Sequence, residues 1–128
     1  MSRYWAMSLV VVSNGLLAPI VYAQSVQDRF EITPTDRKAI EIGVRSRLKD
    51  PDSAKFGFMA AIKDGDGARV CGVVNAKNSY GGYTGDVPFI ADYSPRSHLA
   101  VLGVIGGTPD ANYVAIKMCE PILGQKFK

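Results

Sequence analysis

Phe56-Gly57-Phe58-Met59-Ala60-Ala61-Ile62-Lys63-Asp64-Gly65-Asp66-Gly67-Ala68-Arg69-Val70-Cys71-Gly72-Val73-Val74-Asn75-Ala76 is the stretch on which the fold turns. Phe56, Phe58, Ala60 and Ile62 alternate with Gly57, Met59, Ala61 and Lys63, the period-2 pattern of a half-buried strand. Asp64-Gly65-Asp66-Gly67 is a hairpin signal, because Asp-Gly pairs tolerate the positive φ that tight hairpins demand. Arg69 to Ala76 reads as the returning strand. The same four residues also resemble the start of a calcium loop. With Asp64 as position 1, however, position 5 falls on Ala68 and position 12 on Asn75, so the key oxygen ligands are missing.

Upstream of the hairpin the period changes. Ile40, Val44 and Leu48 recur at i, i+4 and i+8 and draw one apolar stripe, with Ile42 off to the side. Arg37, Lys38, Glu41, Arg45 and Arg47 fill the solvated faces. Thr33 suits the N-cap, Pro34 the first helical position, and Asp36 a short form of the capping-box acid. The helix is expected to end near Lys49, since Asp50 precedes Pro51 and is pushed out of the α region. Downstream, Val87 to Tyr93, Leu99 to Ile105 and Tyr113 to Met118 read as further strands, with Gly106-Gly107-Thr108-Pro109-Asp110 as a turn. One N-terminal amphipathic helix packed on an antiparallel sheet of about four to five strands defines an α+β domain.

Residues 1–23 carry the marks of an export leader. Arg3 supplies a positive start, Met7 to Tyr22 an apolar stretch, and Val21-Tyr22-Ala23 a small-x-Ala cleavage site. Ser13, Asn14, Gly15 and Pro19 interrupt the apolar stretch, so it is a poor bilayer-spanning helix. The expected organisation is therefore a leader over 1–23, a flexible lead-in over 24–32 and a single domain over 33–128, with a periplasmic or secreted destination and no stable membrane span after cleavage. The formal charge of +3 over the 128-residue chain includes Arg3. The basic residues are scattered among acidic ones, without the patch that a nucleic-acid binder of this size carries. The only cysteines, Cys71 and Cys119, fall in the exported part, where an even pair in a small domain is expected to form a disulfide. Two cysteines and the single histidine, His98, are too few for a zinc site.

Chemistry-bearing motifs are sparse. Ser97-His98 are adjacent on the chain, whereas hydrolase triads are assembled from separated segments, and His98 reads as a surface-loop residue. Nucleophile-elbow, dinucleotide-fingerprint and P-loop patterns are absent. Asp86, Asp92 and Asp110 leave open an envelope hydrolase that uses carboxylates. No cofactor is indicated. The remaining candidate is the loop after the hairpin, Asn75 to Gly85. Asn75 and Asn78 offer donors and acceptors, Tyr80 and Tyr83 are flat amphipathic rings, and Gly81, Gly82 and Gly85 permit close approach or tight reversal. Those residues fit a contact surface for an unknown protein or an envelope glycan. The same residues fit a structural loop in which asparagines hold turns and tyrosines cover the sheet edge, and a structural component of a larger envelope assembly is a further alternative.

The run Cys71-Gly72-x-Val74-Asn75-x-x-Asn78-x-x-Gly81-Gly82-Tyr83-x-Gly85-x-x-Pro88-Phe89, preceded by Leu48-x-Asp50-Pro51-x-Ser53-Ala54-x-Phe56, resembles a group of small exported proteobacterial proteins of unassigned function. The resemblance covers Leu48 to Phe89 and Cys119. It implies a helix, an Asp-Pro turn and a cysteine paired with one near the C-terminus, and it brings no activity with it.

Overall fold

The computed structural model describes residues 28–124; the expected leader, residues 24–27 of the lead-in and the last four residues lie outside that range. Five strands form one antiparallel sheet in chain order. They are β1 (Arg29–Phe30), β2 (Lys55–Asp64), β3 (Gly67–Asn75), β4 (Val87–Ser94) and β5 (Leu99–Ile105). Helix α1 (Pro34–Arg45) joins β1 to β2, and helix α2 (Pro109–Leu123) follows β5. The lead-in is thus partly structured: Arg29 and Phe30 pair with Ile62 and Ala61.

The hairpin forms as its sequence dictates. Asp64 pairs with Gly67 across the two-residue turn Gly65-Asp66, and Gly65 takes φ 58°. The alternation along β2 is broken by a bulge between Phe56 and Met59. Phe56 therefore shares the core with Met59 and Ala61 instead of with Phe58, which is left half exposed. Arg37 of α1 donates through Nη2 to the Gly57 carbonyl at 2.9 Å, satisfying an acceptor that the bulge frees.

Helix α1 starts as expected. The Thr33 side chain accepts from the Asp36 amide and the Asp36 carboxylate accepts from the Thr33 amide, a complete capping box. It ends four residues earlier than the sequence implies. Arg47 and Leu48 donate to Val44 and Arg45, i→i+3 bonds that tighten the last turn. Ile40 and Val44 are fully buried against Val70, Val74, Phe89, Ala91 and Tyr93. The close seat on β5 depends on Gly43, where a Cβ would fall against the backbone carbonyl of Ala100. Gly43→Ala is expected to cost about 1–3 kcal/mol through forced displacement of helix from sheet, even though alanine favours a helix; equilibrium denaturation measures it.

The main correction concerns the C-terminus. Tyr113 to Met118, expected as a strand, lies inside α2, and the expected turn Gly106 to Asp110 runs into the start of that helix. Thr108 caps it by accepting from the Ala111 amide, with Pro109 at the first helical position. A single N-terminal helix is accordingly replaced by two. Residues of β3 and β4 alternate between the layers: Val70, Val74, Phe89, Ala91 and Tyr93 face α1, while Cys71 and Ile90 pack with Cys119 of α2. Each helix covers one face of the sheet. The Cys71–Cys119 disulfide closes at an S–S distance of 2.05 Å, and it pins a central strand to α2 where a strand-to-strand link was expected. Among the described residues no helix is long and apolar enough to cross a membrane.

Candidate contact surface

The Asn75–Gly85 loop leaves the sheet between β3 and β4, and its shape is set from within. Asn75 Oδ1 accepts from the Gly85 amide at 3.1 Å, tying the two ends together. Asn78 Oδ1 accepts from the amides of Tyr80 at 2.9 Å and Gly82 at 3.2 Å. The Asn78 backbone also exchanges bonds with Gly82 and Gly81. Gly81 and Gly85 take φ 81° and 83°, conformations that side chains rarely adopt. Lys77 bridges Tyr83 as an isolated β-pair, and the Lys77 amide donates to Ser53 Oγ at 2.8 Å, anchoring the loop to the turn before β2. Asn75 and Asn78 thus turn their side-chain oxygens inward onto the loop's own amides, and Gly81 and Gly82 supply its reversal.

The tyrosines differ from one another. Tyr80 stands at the tip and is 96% exposed. Tyr83 is 44% exposed and has two ammonium groups over its ring, Lys55 Nζ at 4.7 Å and Lys77 Nζ at 5.6 Å from the centroid. Neither lysine is in an ion pair among the described residues. Lys55 and Lys77 escaped the sequence reading. Lys55 is opposite Asn75 in the β2–β3 ladder, a proximity that appears only once the hairpin register is known.

Asp86 and Asp92 do not form a carboxylate pair, and Asp110 lies in the first turn of α2. Asp86 precedes β4 and Asp92 lies six residues further along the same extended strand, roughly 20 Å at 3.3 Å per residue. Retaining and inverting glycosidases hold their carboxyls about 5–9.5 Å apart. Asp92 is instead ion-paired with Arg69 at 3.3 Å.

A second polar cluster lies on the α1 side of the sheet. The buried Tyr93 hydroxyl donates to Asp36 Oδ1 at 2.7 Å, and Asp36 Oδ2 accepts from the Thr33 hydroxyl at 2.7 Å. The hydrogen bond from Tyr93, helped by those from Thr33, holds the Asp36 carboxyl below its ordinary value against the opposing effect of burial. Burial, then the bond to Asp36 and its charge, push the Tyr93 phenol up to about 12. His98 Nδ1 lies 3.1 Å from the Tyr93 oxygen. Tyr93 has a single proton, already given to the carboxylate, so His98 must donate from Nδ1 and a neutral ring keeps its lone pair on Nε2. The backbone at His98, φ 52°, closes the four-residue β4–β5 turn. His98 is therefore an exposed but anchored residue.

Searches for related proteins return no matching family model, no matching curated protein and no matching solved structure.

Proposed function

We propose that this chain is a small exported binding or accessory protein of the cell envelope, with the tip of the Asn75–Gly85 loop as its contact surface. The observation that carries the reading is Tyr80, an almost fully exposed aromatic ring on a loop held rigid by its own asparagines. A preorganised aromatic anchor loses little conformational entropy when it is captured. Tyr83, Lys55 and Lys77 form the flank of the surface, and the two lysine ammonium groups, in no ion pair among the described residues, favour a partner carrying negative charge at that edge. The separation of Asp86 from Asp92 disfavours the hydrolase alternative.

Photocrosslinking from the exposed position 79, beside the ring, followed by pull-down from native envelope, tests the proposal. Tyr80→Ala is expected to abolish capture while the unfolding free energy shifts by no more than about 0.5 kcal/mol, as for an exposed substitution. Capture that survives Tyr80→Ala and Tyr83→Ala together would overturn it.

A further inference from the structure

Backbone pairing gathers two lysines on one face beside the loop. Lys55 is directly opposite Asn75 in the β2–β3 ladder, and Lys77, two residues beyond Asn75, is directly opposite Tyr83. Residues opposite one another, and residues two apart on an extended chain, share a face. Ala76 between them is buried and takes the other face. Its carbonyl accepts from the Thr84 amide at 3.1 Å, which continues the pairing of the loop's two arms. Both ammonium groups therefore reach the Tyr83 ring, Lys55 Nζ at 4.7 Å and Lys77 Nζ at 5.6 Å from its centroid.

Like charges gathered on one face of a strand pair repel, and a π face orients an ammonium group without cancelling its charge. Of the acids nearest in sequence, Asp50 accepts from the Ser53 amide within its own turn. Asp52 and Asp86, like the two lysines, are in no ion pair among the described residues. The geometry points to Lys55 and Lys77 as the seat of one phosphate monoester group, held beside the Tyr83 ring. Such a group carries a charge of about −1.5 to −2 near neutral pH and matches two ammonium groups. A carboxylate carries one charge and leaves one lysine uncompensated; its planar fork also suits arginine, whereas lysine binds phosphate as a point charge. The inference rests on the loop as a contact surface and names what its partner carries at that edge.

NMR titration of the labelled protein at pH 8 and constant ionic strength tests it, with inorganic phosphate, glucose 1-phosphate, glucuronate and glucose as probes. Both phosphates are expected to shift the Lys55, Lys77 and Tyr83 side-chain signals saturably, binding about fivefold more tightly than glucuronate, the gain from one further charge pair. Glucose should shift none of them. A tighter fit for glucose 1-phosphate than for inorganic phosphate assigns the group to a phosphorylated sugar; the reverse order assigns it to free phosphate. Lys55→Gln with Lys77→Gln, which keeps the alkyl stems, should abolish the shifts, while Lys38→Gln and Tyr80→Ala leave them unchanged. Glucuronate binding as tightly as phosphate, shifts spread evenly over all lysines, or a double variant that binds like the wild type would overturn the inference. Envelope capture that persists in a protein failing this titration would leave the contact loop standing and remove the phosphate from it.

Discussion

Replacing Cys71 and Cys119 together by alanine is expected to remove about 4 kcal/mol of unfolding free energy, the chain-entropy value for a bridge spanning 48 residues. That is a large share of the roughly 5–15 kcal/mol that holds a domain of this size folded. The sulfurs are buried between the sheet and α2, next to Ile90, so a packing loss adds to the entropic one. The effect should be localised. Amides of α2 are expected to lose hydrogen-exchange protection before those of β3 and β4, because α2 is the layer that the bridge retains. Chemical denaturation with exchange mass spectrometry provides both readouts. A loss below about 1 kcal/mol, or uniform deprotection of sheet and helix, would contradict this account.

The second large effect is alkaline. The Tyr93 phenol ordinarily ionises near 10 and is raised to about 12 in the folded protein. A raised value means that the folded state holds the proton more tightly. The stabilisation is therefore complete below pH 10 and is lost as pH rises from 10 through about 12, roughly 3 kcal/mol in all. Asp36 acts in the opposite direction: its lowered value contributes stability above the ordinary carboxylate range that disappears as pH falls through it. Tyr93→Phe keeps the ring packed on Phe30 but removes the titrating group, so its stability should decline less steeply across the alkaline window than that of the wild type. Parallel slopes for the two proteins would remove Tyr93 as the cause.

The elements legible in the sequence were those encoded locally. The capping box at Thr33 and Asp36, the Ile40–Val44 stripe and the Asp-Gly hairpin each occupy a few consecutive residues, and each formed. Helix α2 was misread because Tyr113-Val114-Ala115-Ile116-Lys117-Met118 is rich in β-favouring side chains and Pro121 follows closely. Its start, Thr108-Pro109, repeats the signature at Thr33-Pro34, and placement against the exposed face of the sheet outweighed intrinsic preference. Pro121 is tolerated in the last turn, where few further helical bonds remain to be lost. The Asp36–Tyr93–His98 chain was illegible for another reason. Asp36 and Tyr93 are 57 residues apart and meet only after α1 is laid on β4. Within the loop the sequence located Tyr80 and Tyr83 but not the division of labour, since nothing local shows that the asparagines spend their acceptors on the loop itself.

Because every strand pairs with its immediate predecessor, the strands can join the sheet in the order in which they emerge. Three closures are long-range, the pairing of β1 with β2 across α1, the seating of α1 on β5 and the return of α2 across β3, and only the last is covalent. Cys119 follows β4, β5 and most of α2 in the sequence, so the bridge cannot close until they have been delivered. The thiol pair thus acts as a completion mark: a truncated or stalled chain can assemble its hairpins yet never become locked, and remains more open to proteolysis than the bridged molecule.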